Sequence, residues 1–590
     1  MHRRLEHLAG IPWVANAAPW VGVLLLNVLF VAPLIGKLTP RKPWLLLQPS
    51  GDLAVLLIAY VAATRWRWRH ARWVRALLAT VGVILWLFSW DIFVVSTLFR
   101  HTPPLYDQTY LLRHLGVLAF DLWSYKLALA LLAAGLAVGT VVGLARLLLR
   151  KSTQALAARP LSHTLPITVI LMLVLGVGTV LDRNKTTRRR NSVLWLAPIL
   201  VRNLDHSLQM YRALERGITH SPYAGYAERY PLSRKPDVQL FLVESYGRIL
   251  MADPVVGPGW VDHAQDIQGR LEEAGWHMVT GYSQAPVSGG RSWLAEATLL
   301  TGIWVPYEAM FQQMLGNIER TPNLVSYLDS QGYETILLAP KDRPRPGVEM
   351  ENRYRYDQQI VAPDLEYDGP GYGWGVIPDE YSLGFAHDNV WSKVDGPIFT
   401  NFHMVSSHAP WQVVPEVVDD WRSIADRALP DETDAHQFIS PERELWERAR
   451  HYRRAWTRNA YMGDADSLNM GSFATSIHYD LEILARHLLR LEGDKLVIIM
   501  GDHQPPLLSS ADDSYDVPVH ILARDDALLG DFRELGFVDG LVVAPTYATS
   551  VSHAGVFSLL VRALVRCCST TDLPLPRHVP DGVRPMKLRR

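Results

Sequence analysis

The chain has 590 residues, with 58 Lys plus Arg against 59 Asp plus Glu and a formal net charge of −1. Hydrophobic content of 49% with 20% charged residues excludes a disordered chain. Two cysteines, the adjacent Cys567 and Cys568, exclude a disulfide framework and a Cys-rich zinc site. The near-neutral total hides a division. Residues 1–190 carry 22 basic and 6 acidic side chains, and residues 191–590 carry 36 and 53, so net charges of +16 and −17 cancel.

The basic part predicts membrane helices. A span needs about 20 mostly apolar residues, and five runs qualify: 18–38, 44–63, 74–97, 125–149 and 163–181. Pro49 and Gly51 interrupt the second. Arg3 and Arg4 precede the first without a small-residue cleavage site, which reads as an anchor and not a removed signal. The turn RWRWRHARWVR and the later Arg146, Arg150, Lys151 and Arg159 read as cytoplasmic loops. Five spans from a cytoplasmic N-terminus then place everything after residue 182 outside. Lys185 and Arg188 to Arg190 would face outer-leaflet lipid head groups. Asp91, an acid inside the third span, reads as a helix-paired or snorkelling group near its outer end. The expected location is the cytoplasmic (inner) membrane, multi-pass, with an extracytoplasmic domain. The domains read as 1–182 membrane, 183–235 connector with a surface helix near 193–214, 236–575 catalytic, and 576–590 tail.

From residue 237, apolar strand-like runs alternate with amphipathic helices. Strands are expected at Val238–Val243, Glu334–Leu338, Pro397–Met404, Lys495–Met500 and Val517–Leu522. Helices are expected at 261–275, 292–302, 321–332, 472–490 and 552–566. This alternation predicts an α/β domain with a mostly parallel sheet flanked by helices. Ligands of such sheets bind beyond the carboxyl ends of the strands. There the chain places Glu244, then Ser406, Ser407 and His408, then Asp502 and His503. Carboxylates with a histidine at one sheet edge suit a divalent cation.

These residues carry a resemblance. VESYGR, GGRSWLAEATLLTG, FHMVSSHAPW and MGDHQPP resemble motifs of the alkaline phosphatase superfamily, sulfatase-type branch. In layout the chain is similar to lipoteichoic acid synthases and lipid A phosphoethanolamine transferases, which have five N-terminal spans. The motifs cover about residues 237–566. The resemblance implies metal ligands Glu244, Asp502 and His503 with Ser292 as fourth ligand and nucleophile, a position usually Thr in those families. The spacing from Ser292 to Glu296 agrees with the synthases. Arg353 in ENRYRYD is implied as a phosphate holder, with Arg355 competing and Glu351 where Trp is usual. His403 and His408 resemble a histidine pair of the transferases, and TSVSHAGVFSLL places His553 near the site. WGVIPDEYS and SIHYDLEILARHL resemble blocks read as structural.

The C/S-x-P-x-R signature is missing, so formylglycine-dependent sulfate hydrolysis is not expected. The implied activity is metal-dependent transfer of a phosphoglycerol- or phosphoethanolamine-type group from a phospholipid to an envelope glycan or lipid, through a Ser292 intermediate. The alternative is a phosphodiesterase- or sulfatase-like hydrolase on the same site. The implied metal is Mn²⁺ or Zn²⁺, with Mg²⁺ or Ca²⁺ as alternatives. No nucleic-acid partner is expected, and the oligomeric state is not legible. Bland readings stand beside these: Ser292 as a helix cap, Arg291 as a solvated or capping residue, His403 as a core histidine, Lys341, Asp342 and Arg343 as a solvated cluster, and 411–458 as an exposed helical insertion.

Overall fold

The structure is a computed structural model and describes residues 12–38, 48–65, 71–99, 103–110, 125–160, 194–215, 221–342, 352–372, 377–409, 411, 416–426, 465–506, 508–509 and 514–585. The chain divides into two compact units, residues 1–105 with 122–208, and residues 106–121 with 209–590.

In the first unit four helices stand where spans are expected: α1 (Pro12–Leu38), α2 (Gly51–Arg65), α3 (Ala71–Phe99) and α4 (Tyr125–Ala157). The expected span at 163–181 lies outside the described residues. Within α3, Arg72–Val95 is long and apolar enough to cross a membrane, with mean hydropathy 2.1. The second helix starts at Gly51 because the preceding backbone is engaged elsewhere. The Pro49 carbonyl accepts from Leu194 N at 3.1 Å, and Gly51 N donates to the Leu194 carbonyl at 2.9 Å. Asn27, the polar residue of the first span, ties α1 to this segment: its amide donates to the Gln48 carbonyl at 2.8 Å and accepts from Ser50 N at 2.9 Å. The surface helix expected near 193–214 is α5 (Ala197–Glu215).

The second unit is built on one sheet. Its strands are β1 (Asp237–Val243), β2 (His277–Gln284), β3 (Glu334–Ala339), β4 (Gln358–Val361), β5 (Ile398–His403), β6 (Lys495–Gly501), β7 (Asp516–Ala523), β8 (Val538–Asp539) and β9 (Val551–Ser552). The order is β4-β3-β5-β1-β6-β7-β2-β8, with β9 on β2. The half from β4 to β6 is parallel. The β6–β7, β7–β2 and β2–β8 pairs are antiparallel and β2–β9 is parallel, so most pairings are parallel as expected, within a sheet that is mixed overall. All five expected strands are present. The strand HMVTGYSQ of β2 escapes a hydropathy reading because it carries His, Thr, Ser and Gln, yet it is buried almost throughout.

Both faces of the sheet are covered, which is why its strands read as continuous apolar runs. On β1, Val238, Leu240 and Leu242 join one core, and Phe241 and Val243 join the other, following the period of two. The first core takes in α6 (Ser292–Thr301), α7 (Leu324–Ser330) and α8 (His553–Cys568). The second is closed by α9 (Gly257–Glu273), α10 (Asp379–Asn389) and α11 (Ala465–Arg490). This unit begins earlier than the expected 236, because Met210, Leu214 and Tyr223 are buried in the first core. The expected tail is also attached: Val583 exchanges backbone bonds of 2.8 Å with Gly302 and Trp304 at the end of α6.

Gly501 closes β6 just before Asp502. A Cβ there would lie 1.9 Å from the Tyr246 carbonyl oxygen, a backbone atom with no rotamer to move. Gly501→Ala is therefore expected to destabilise the second unit by about 1–3 kcal/mol or more, as overpacking does, and to weaken divalent-cation binding. Thermal denaturation with and without added Zn²⁺ checks both, and a variant melting like wild type would contradict the close approach.

Candidate active site

The site follows from strand register. Val243 of β1 pairs with Gly501 of the neighbouring parallel β6, so the next residues, Glu244 and Asp502, leave the sheet side by side. Both are buried, at 7% and 3% exposure, and His503 is fully buried. Ser245 knits the two acids together. Its backbone N–H donates to Asp502 Oδ1 at 2.8 Å, and its hydroxyl donates to Glu244 Oε1 at 2.9 Å. It adopts a left-handed φ of 62° to do so.

His503 completes the group. Its Nδ1–H donates to the Gln504 carbonyl at 3.0 Å, which assigns the lone pair to Nε2. That atom faces Glu244 Oε1 and Asp502 Oδ2, each at 3.5 Å. Ser292 enters from the other side as the first residue of α6. Its hydroxyl donates to Glu244 Oε2 at 3.0 Å and lies 3.3 Å from His503 Nε2. Gly289, Gly290 and Arg291 before it all have positive φ. That turn aims the helix N-terminus, with its unpaired N–H groups and positive dipole end, at the cluster.

The donor set fits a divalent cation. Four ligands at about 2.0–2.1 Å in a tetrahedron are separated by edges of about 3.3–3.4 Å, and the contacts around His503 Nε2 and Ser292 Oγ span 3.0–3.5 Å. The electrostatics agree. Burial works to raise Glu244, but His503, His408 and the Ser245 and Ser292 hydroxyls outweigh it and bring it down to about 2. Burial and the facing charge of Glu244 push Asp502 up to about 7. Two abutting carboxylates cannot both stay ionised here without a compensating positive charge.

The other expected residues are placed as follows. His408 follows β5 half-buried, its ring nitrogen Nδ1 donating to the Ala409 carbonyl at 2.6 Å, and its charge acts on Glu244. His403, at the end of β5, belongs to a second polar group. It accepts from Lys341 Nζ at 2.9 Å through Nδ1 and donates from Nε2 to Glu296 Oε1 at 2.8 Å. Glu296 lies one turn after Ser292 and also accepts from Asn401 at 2.9 Å. Burial works against its ionisation, but His403, Lys341 and Arg353 hold it below the usual carboxylate range. Arg353 is exposed, with its guanidinium 5.5 Å from the Phe311 ring centre, so its field reaches this second group. Arg355 instead pairs with Glu319. His553, first residue of α8, is 1% exposed, with Nδ1 2.8 Å from Ser283 Oγ. Burial lowers it to about 3, so it stands neutral behind the backbone of Gly501 and Asp502.

Arg291 is neither a solvated residue nor a side-chain cap: it is 5% exposed, among Asp107, Glu308, Tyr307 and Tyr515. Ser245 is the residue sequence reasoning missed, although it adjoins Glu244 in the quoted motif. Arg343 and most of segment 411–458, including Trp446 and Trp456, lie outside the described residues.

No protein-family model and no curated protein matches the chain in sequence. Solved structures do match. The chain is similar to the integral membrane lipooligosaccharide phosphoethanolamine transferase A from Neisseria meningitidis, at 14% identity over 93% of this chain and 95% of that one, with a TM-score of 0.46. It is similar to a lipoteichoic acid synthase from Listeria monocytogenes at 14% identity, over 50% of this chain and 70% of that one, with a TM-score of 0.30. A phosphoglycerol transferase from Streptococcus pyogenes matches at 11% identity, over 60% and 80%, with a TM-score of 0.33. These are proteins of the kind the motifs resemble.

Asp502 gives a signed pH prediction. Its folded pKa is raised, so its contribution to stability is full below the usual aspartate range and is lost as pH rises through about 7. Metal-free protein is expected to lose melting temperature across that window, and added Zn²⁺ or Mn²⁺ to restore it. Asp502→Asn is expected to flatten the slope and remove the metal response. An unchanged slope in that variant would place its origin elsewhere.

Proposed function

We propose that this protein is a membrane-anchored, divalent-metal-dependent transferase. It takes a phosphoryl-linked head group of the phosphoglycerol or phosphoethanolamine type from a phospholipid and passes it to an envelope glycan or lipid through a covalent Ser292 intermediate. One observation carries the reading. A helix-N-terminal hydroxyl stands within 3.0 Å of Glu244 and 3.3 Å of His503, inside a buried Glu-Asp-His group. The nature of the transferred group rests on the motif resemblance, and a lipid donor is consistent with the apolar helix Arg72–Val95.

Glu244, Asp502, His503 and Ser292 would hold the cation, Zn²⁺ or Mn²⁺ by donor type. Once bound, it supplies Lewis acidity that lowers the proton affinity of the hydroxyl and offsets phosphoryl charge. The chain's residues do the rest. Glu244 accepts the Ser292 hydrogen bond and orients the oxygen for attack. The α6 N-terminus receives the phosphoryl oxygens. Lys341 and Arg353 add positive charge beside Glu296. In the first step the Oγ–P bond forms as the Ser292 proton passes to Glu244, the P–O bond to diacylglycerol breaks, and His408 delivers a proton to the departing oxygen. In the second, an acceptor hydroxyl displaces Ser292, which recovers its proton from Glu244, and the acceptor's own proton returns to His408.

Purified protein in detergent with phosphatidylglycerol or phosphatidylethanolamine and Mn²⁺ or Zn²⁺ should release diacylglycerol. Ser292→Ala should reduce release by at least about 10³-fold, as loss of a covalent nucleophile does. Intact-protein mass spectrometry should find Ser292 carrying the added mass of the transferred group. Undiminished release by Ser292→Ala would refute the nucleophile, and release to water with no transfer to any acceptor would make the protein a hydrolase.

A further inference from the structure

The segment carrying His408 is held by a carboxyl pair that the mechanism above does not use. Asp379, first residue of α10, is fully buried. Its carboxylate accepts from Val405 N at 3.0 and 2.8 Å and from Ser406 N at 2.7 Å. Its own backbone N–H donates back to Ser406 Oγ at 3.0 Å. The next residue, Ser407, donates its hydroxyl to the Glu244 carbonyl at 2.7 Å, and His408 N closes the turn onto the Val405 carbonyl at 3.0 Å. Three consecutive residues are thus tied to Asp379 on one side or Glu244 on the other, and His408, next in the chain, closes the turn they form.

Behind Asp379 lies Asp480 of α11, also fully buried. Its carboxyl faces Asp379 and Ser407, yet neither of its oxygens receives a hydrogen bond from any donor among the described residues. Ser407 has spent its hydrogen on Glu244, and Asp379 has only acceptor oxygens. An ionised Asp480 would leave two carboxylates in contact, out of water, with no donor between them. The contact becomes favourable only when a proton lies in it.

We propose that Asp480 is a neutral carboxylic acid donating its proton to the Asp379 carboxylate, and that Asp379, so held, is the positioning residue that sets His408 against the catalytic group. The shared proton leaves the pair with one negative charge, spread toward the Val405 and Ser406 amides. Burial pushes both acids upward, in keeping with this arrangement. Asp379 touches no reacting atom, so its effect on chemistry passes entirely through the 405–408 turn.

The test uses the full chain in detergent. Infrared difference spectra at neutral pH between wild type and Asp480→Asn should contain a protonated-carboxyl C=O stretch that the variant lacks. Its absence overturns the shared proton. This arm does not involve catalysis. The kinetic arm rests on the transferase reading. There Asp480→Asn, whose amide can donate as the acid does, should keep kcat within about twofold. Asp379→Asn, whose amide nitrogen is set against two backbone N–H groups, should lower kcat about tenfold or more, within the range a general acid supplies, with KM and Zn²⁺ stoichiometry unchanged. Should that variant not fold, Asp379→Glu, with its acceptors displaced by one methylene, takes its place with the same expectation. Wild-type kcat in the Asp379 variant, or loss of Zn²⁺ in place of kcat, overturns the positioning role. If Ser292→Ala is as active as wild type in the same assay, the transferase reading fails instead, and the infrared result stands alone.

Discussion

Two buried carboxylates left side by side by strand register are the constraint on which the second unit turns. Parallel strands with Val243 opposite Gly501 deliver Glu244 and Asp502 to the same point beyond the sheet. Neither has water to screen it, and like charges at contact in a dry environment cost several kcal/mol unless something positive intervenes. Every neighbouring feature answers that demand. Ser245 adopts an unfavourable φ to donate to both acids. His503 turns its lone pair inward. The α6 N-terminus arrives with its dipole and a hydroxyl. What remains is a place suited to a cation, where filling it would couple cation binding to the stability of the fold.

Backbone strain is concentrated here. Of the four non-glycine residues with positive φ among those described, Ser245 follows Glu244 and Arg291 precedes Ser292. Such conformations persist only where the surroundings over-determine them. For Arg291 the surroundings are Asp107, Glu308 and two tyrosines around a buried guanidinium. For Ser245 they are the two acids themselves. The Lys341–His403–Glu296 group forms a second polar layer one helical turn beyond Ser292. It keeps His403 engaged with Glu296 and separate from the Glu244 cluster.

Much of this was legible. Glu244, Ser292, Asp502 and His503 converge as their places at strand ends and a helix start imply, because an apolar strand's carboxyl end is where a parallel sheet exposes polar side chains. Less legible was the antiparallel half of the sheet. The residues of β2 mix His, Thr, Gly, Ser and Gln with three apolar side chains, so burial there follows from pairing with β7 and not from local hydropathy. The direction of Arg353 was not legible either: it stands exposed over Phe311, with its charge reaching Glu296. A long flexible side chain on a loop has no periodicity from which its direction could be read.

By itself the sequence determined the division into a basic apolar part and an acidic α/β part, the five main strands and their helices, and the residue types of the site. These are local properties: hydropathy, period and charge are written along the chain. Only the tertiary structure decided that His403 belongs with Glu296 and Lys341, that His553 is a buried neutral group behind the strand ends, and that Asp379 and Asp480 meet under the His408 turn. Those outcomes join residues 62, 107 and 270 positions apart or bring separate helices together. Distance along the chain carries no information about such meetings until strand order and helix packing bring them about.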